Sequence, residues 1–225
     1  MRRTIAVTRS LALGAVLTAA LTGCGDGGGK PDGAAISLVR AANTHMENES
    51  FHAAGTTTAF AGGKQETWWD PALGLRMEVT GGASGTVFCK DGTSYTSADL
   101  LAAALRRRGQ QITVPAALRS AYVTTRTDRG CSSYFTIAET GHRAADKDRK
   151  TGGTQASAVQ VSAGAAEDVY LIGTDAQRLL LLESRRDGRT SSTAYDSFGE
   201  KFTTIAMPVP EKTITMDAFR AQVTN

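Results

Sequence analysis

Surplus charge is almost absent from this chain of 225 residues, in which 25 Lys and Arg stand against 22 Asp and Glu. Arg2, Arg3 and Arg9 account for the whole difference. From position 24 onward, 22 basic and 22 acidic residues balance. A neutral chain lacks the electrostatic footprint of a nucleic-acid binder, and no nucleic-acid partner is expected. Cysteine is scarce too, at three residues, which excludes a disulfide-dense miniature scaffold. No apolar run is long enough to span a bilayer, which takes about 20 residues. The longest such stretch, 11–23, has 13.

Catalytic signatures are missing as well. There is no HExxH, P-loop or GxGxxG. Gly82-Ala83-Ser84-Gly85 resembles a nucleophile elbow, but its second glycine comes one residue early, so a Gly-rich turn is the better account. His45, His52 and His142 have no ligand spacing with any cysteine. Asp146 and Asp148 start like a calcium loop that Arg149-Lys150-Thr151 then breaks. The expectation is a protein that is not an enzyme, with no cofactor and no metal.

What is present begins with an address. Residues 1–23 run from a basic start, through an apolar stretch from Leu11 to Leu21, to small residues, which is the layout of a secretory signal. Leu21-Thr22-Gly23-Cys24 resembles the bacterial lipobox. The resemblance implies cleavage before Cys24 and diacylation of its sulfur, so Cys24 would be the membrane partner. Two or more acyl chains anchor stably where one is marginal. Residues 24–33 are Gly-rich and read as a flexible tether with a reach of roughly 16 Å. The folded domain, expected over 34–225, would then sit as a monomer on the extracytoplasmic face of the cell membrane.

Within that domain, Ile36, Val39, Ala42 and Met46 recur at helical spacing and predict a helix over 34–47. Short extended segments follow, punctuated by Gly62-Gly63, Pro71, Gly81-Gly82 and Asp91-Gly92. In 75–80, Leu75, Met77 and Val79 alternate with Arg76, Glu78 and Thr80, as in a half-buried strand. Ser97 is placed to cap a helix ending at Gly109. Residues 110–150 are hard to read. Segment 115–122 reads as helical, 131–138 as strand or helix, and 143–150 as a solvated charged loop. Five strands are expected over 155–162, 168–173, 178–186, 189–197 and 200–207, and a short helix over 216–223. The sum is α+β, with about ten strands in one antiparallel sheet and no internal linker.

Cys89 and Cys131 are expected to pair, because the exported side of a membrane does not reduce disulfides. Trp68-Trp69 and Leu179-Leu180-Leu181-Leu182 place large apolar side chains on both faces of the sheet. Either helices cover both faces, or the sheet curves around an apolar cavity of the kind that binds acyl chains.

The order of elements resembles the half-barrel lipoproteins of actinobacteria of the LppX/LprG type, which share a fold with the LolA/LolB carriers. The resemblance rests on the lipobox, a helix ending near Ser50-Phe51, Gly92-Thr93-Ser94-Tyr95 before a Leu-rich helix, Asp168-Val169-Tyr170-Leu171, Tyr195-Asp196-Ser197-Phe198-Gly199 and Pro208/Pro210. It implies an unclosed, strongly curved antiparallel sheet with helices in its concave face, binding or transferring a lipid or lipoglycan. Trp68, Met77, Val79, Phe88, Tyr95, Leu180 and Leu182 are the candidate lipid contacts. The alternative is a sensor or accessory lipoprotein that binds an envelope protein partner and has no ligand cavity.

Overall fold

The structure is a computed structural model that describes residues 32–223; the signal, the lipobox with Cys24 and most of the tether lie outside them. Helix α1 (Gly33–Asn48) starts where Asp32 accepts from the amide of Ala34 at 3.0 Å. Its buried residues Ala35, Val39, Ala42 and Met46 form one stripe. Five strands follow: β1 (Phe51–Thr57), β2 (Gly63–Asp70), β3 (Gly74–Thr80), β4 (Gly85–Lys90) and β5 (Thr93–Ser97). Next come α2 (Ala98–Arg107), β6 (Tyr122–Arg126), β7 (His142–Arg143) and β8 (Arg149–Thr151). A meander of β9 (Thr154–Ala163), β10 (Ala166–Gly173), β11 (Leu179–Arg186) and β12 (Arg189–Asp196) precedes β13 (Thr213–Thr215) and α3 (Met216–Gln222).

All thirteen strands join one sheet in the order β13-β6-β5-β4-β3-β2-β1-β12-β11-β10-β9-β7, with β8 also on β9. Every pairing is antiparallel except β13 with β6. β7 and β13 do not meet, so the sheet is unclosed and its concave side can take helices. Asp91-Gly92 and Asp187-Gly188 turn two hairpins with positive φ at both residues, the geometry whose twist matches the flanking strands. Gly55 lets β1 meet β12 closely, since a Cβ there would lie 2.0 Å from the carbonyl oxygen of Ser192.

The concave side carries the core. α1 packs over Phe51, Leu75, Val159, Ile172 and Leu179. α2, the 110–121 segment and Phe219 of α3 form an adjoining cluster with Val123. Cys89 and Cys131 are bonded, with their Cα atoms 5.5 Å apart. The bond ties β4 to a single-turn helix (Cys131–Tyr134), whose continuation brings Phe135 between Phe51 and Trp69, at ring distances of 5.1 and 5.0 Å.

Several expectations are corrected. The strand count rises from about ten to thirteen, because β6, β7 and β13 are short strands paired to distant segments and β8 is a three-residue arm of a hairpin with β9. Residues 200–207 form no strand. β12 already has β1 and β11 on its two edges, so the chain that leaves it through Ser197 and Gly199 finds no free ladder. It crosses the outer face toward β13 instead, burying Ile205, and the guanidinium of Arg76 donates to the carbonyl of Thr204 at 2.9 Å. Ser97 does not cap α2, since its hydroxyl accepts from the amide of Thr86 on β4. The charged 143–150 stretch is not a solvated loop. Arg143 donates to both carboxylate oxygens of Asp148, at 3.1 and 2.8 Å, and Asp148 accepts from the amide of Ala158. That pairing with Arg143 holds the Asp148 carboxyl below the usual carboxylate range. The loop thereby completes the β9 edge and covers Ala156, Ala158 and Leu171 on the outer face.

Candidate functional site

Directly paired residues of an antiparallel sheet point to one face, so the register assigns every side chain a side. Met77 lies opposite Thr67 and Val87 and faces the concave core, as does Val79. Leu182 pairs with Tyr170 and Thr193 and also faces inward. Trp68, Phe88 and Tyr95 lie in the alternate rows and face outward, with Arg76 stacked 5.2 Å over Trp68. Leu180 packs outward as well, with Leu181. The bulge between Leu171 and Ile172 causes this, because Leu171 pairs with Leu181 and Ile172 with Leu179. The seven candidate contacts therefore divide into three inward and four outward residues, and they do not form one site.

Outward apolar residues have their own cover. Thr204 meets Arg76 on the outer face with Ile205 buried beside it, and Ala144 packs with the outward Ala156, Ala158 and Leu171. Two open hollows are formed elsewhere. One, of about 460 Å³, is floored by β1–β3 and lined by Ala54, Thr56, Lys64, Glu66, Glu78 and Thr80. The other, of about 170 Å³, lies at the Pro71 and Asp91 turns beside Trp69 and Cys131. Neither is an enclosed apolar cavity. The middle of the concavity is filled by Phe135, Ile137 and α1.

The concave face opens along β9–β12. Val159, Ile172 and Leu179 are fully buried under α1. Tyr170 and Leu182, in the row of Val159, and Val161, Ser184 and Ser191, in the next row along the strands, face the same side and are only half-buried. Apolar and polar groups meet here. Asp168 is 8% exposed and pairs through the sheet with Val161 and Ser184. Its Oδ2 accepts from Arg186 and, at 3.4 Å, from the hydroxyl of Tyr170. Its Oδ1 is buried with no hydrogen-bond partner. Burial, reinforced by the negative charge of Asp168, pushes the Tyr170 and Tyr195 phenols well above their ordinary value, so both keep their protons and can donate. Among the described residues no group of three or more metal-ligating side chains converges, and the carboxylate, guanidinium and phenols here suit binding.

The sequence reading included Leu182 but omitted Asp168, Tyr170, Tyr195 and Arg186. Asp168 and Tyr170 alternate on one face of β10, whose residues from Val169 to Ile172 are otherwise apolar. Only the register shows that Arg186 and Tyr195 join them.

Fold and site define an α+β protein built on an open, curved antiparallel sheet whose concave side packs against helices, with half-buried residues left at the Val161, Ser184 and Ser191 end of β9–β12. No protein-family model matches the chain, and no curated protein sequence does. It is similar to the solved structure of LprF from Mycobacterium bovis, with 13% identity over 80% of this chain and 99% of that one and a TM-score of 0.45. It is similar to the lipoprotein LppX of Mycobacterium tuberculosis, with 10% identity, 76% and 98% coverage and a TM-score of 0.48. A LolA superfamily protein from Nitrosomonas europaea matches at 8% identity, with 79% and 96% coverage and a TM-score of 0.31.

Proposed function

We propose that the chain is a membrane-anchored, non-enzymatic lipoprotein that binds or transfers a lipid or lipoglycan along the concave face of β9–β12. The observation that carries this reading is the half-buried surface of Val161, Tyr170 and Leu182, which face the concavity from two adjacent rows beside the fully buried Val159. An acyl chain laid on that surface leaves water, at about 0.8 kcal/mol per methylene. The lipobox-like Leu21-Thr22-Gly23-Cys24 supports the anchor, which would hold the site close to the membrane from which lipid is taken. No helix among the described residues is long and apolar enough to cross a membrane.

Native mass spectrometry of the full chain, purified from the membranes of a related host, tests the reading. Co-purified acylated lipid is expected, and Leu182→Asp is expected to remove most of it while the fold persists, since Leu182 is half-exposed. An apo mass that persists after incubation with membrane extract would overturn lipid carriage. The filled middle of the concavity favours a second reading, a lipoprotein that presents its surface to an envelope protein. An apo mass would turn the search toward that partner.

A further inference from the structure

From position 24 onward the chain is neutral as a whole, yet its charge is unevenly spread. The antiparallel register puts the β1–β2 turn, the β3–β4 turn and the start of α2 at one end of the sheet. The two turns touch at Gly82, where a Cβ would lie 2.2 Å from the carbonyl oxygen of Ala61. The guanidinium of Arg107 sits 5.7 Å over the Phe60 ring, so the last turn of α2 returns to the β1–β2 turn. Arg106 is held too, donating to the carbonyl of Ile112 at 3.0 Å. These two arginines, Arg108 and Lys64 are all exposed, and none pairs with a carboxylate among the described residues. Residues 57–64, 80–86 and 100–113, which build this end, contain no Asp or Glu. The opposite end mixes Asp70, Asp91 and Asp128 with its cations. The last turn of a helix favours a cation, but three in a row at one end with Lys64 and no carboxylate make a patch whose complement is an anionic surface.

Where the described chain begins says which surface that is. α1 is about 24 Å long at 1.5 Å per residue, about the length of β1, and joins it through only Glu49 and Ser50. Folded back over the concave face, it returns its N-terminus at Asp32 toward the end where β1 finishes. The eight residues from Cys24 to Pro31 span at most about 28 Å. From these placements we infer that Lys64, Arg106, Arg107 and Arg108 form a docking surface for the anionic phospholipid headgroups of the bilayer that holds the Cys24 anchor. The inference rests on the membrane-anchor reading and adds an orientation to it. The half-buried Val161, Ser184 and Ser191 lie toward the β9–β10 and β11–β12 turns, at the same end of the sheet, so docking brings them near the bilayer.

The test places the full chain, purified from the membranes of a related host, in vesicles of phosphatidylcholine alone or of phosphatidylcholine and phosphatidylglycerol at two to one. Exposed arginines are modified with phenylglyoxal and mapped by peptide mass spectrometry. On the anionic vesicles, Arg106, Arg107 and Arg108 are expected to react at least about fivefold more slowly, the gain that a single cation near an anionic surface gives. Raised salt should restore their rates. Arg126 and Arg129, exposed at the opposite end, should react alike on both vesicles. This readout needs no variant. Arg107→Gln/Arg108→Gln, at two exposed positions, should abolish the matching protection of Lys64 from acetylation. Equal rates at Arg106–Arg108 on both vesicles, in a chain whose mass shows acylated Cys24, would overturn the docking surface and leave the anchor standing. Protection of Arg126 and Arg129 instead would overturn the assigned end. A chain without an acyl group on Cys24 would overturn the anchor reading and the docking with it.

Discussion

Phe135→Ala is expected to destabilise the folded protein by about 3–5 kcal/mol, the usual range for losing a buried aromatic ring. Phe135 is 8% exposed and wedges between Phe51, which it meets edge-on, and Trp69. Phe51 in turn contacts Tyr195 and Phe198 beyond β1. Removing the ring opens a hole at the centre of an aromatic chain that spans both halves of the sheet. The surrounding backbone is strand and disulfide-tethered loop, so it can collapse only in part. At roughly 2–4 °C per kcal/mol for a domain of this size, the melting temperature should fall by about 6–20 °C. Calorimetric melts of wild type and variant check this. A loss under about 1 kcal/mol would show that the loop is not a structural plug, and the concavity would then be easier to open than the packing implies.

Reducing the Cys89–Cys131 bond is expected to cost about 4 kcal/mol in the chain-entropy model, because the bond closes a loop between cysteines 42 positions apart. The same loop is pinned twice more. Ser94 and Tyr134 share a hydroxyl hydrogen bond at 2.6 Å. Asn43 of α1 exchanges two hydrogen bonds with the backbone of Ile137, at 2.9 and 2.8 Å. Those contacts favour a reduced protein that keeps the native loop position and loses stability mainly through its unfolded state. Urea unfolding with and without reductant, and of the Cys89→Ser/Cys131→Ser double variant, measures the difference. Combined with Phe135→Ala, the losses should be less than additive, since both changes free one loop. Additive losses would contradict that coupling.

The parts of this fold that were legible in the sequence are those whose pattern is local. The α1 stripe, the alternation of Leu75, Met77 and Val79, and the Asp91-Gly92 turn each depend on neighbours a few residues away. The 110–150 region resisted for the opposite reason. β7 has two residues and exists because β9 offers an edge, and β13 exists because β6 does, about 90 positions earlier; β8 is local but has only three residues, too few to show an alternation. The segment 200–207 has strand composition but no vacant edge beside it. The site was half-legible. Of the candidate contacts, Met77, Val79 and Leu182 face the concave side, while register and one bulge turn Trp68, Phe88, Tyr95 and Leu180 outward. Asp168 is legible as a charged residue within β10, but its contacts with Arg186 and Tyr170 depend on the register of β10 and β11.

The central claim is that the concave face of β9–β12, and not the outer face, takes an acyl chain. The most direct measurement is photo-crosslinking of the full chain in vesicles that contain a phospholipid with a diazirine-bearing acyl chain, followed by peptide mapping of the labelled residues. The account predicts adducts at Val161, Tyr170 and Leu182. Adducts confined to the outward residues Trp68, Phe88 and Tyr95, or no adducts on the folded domain, would contradict it.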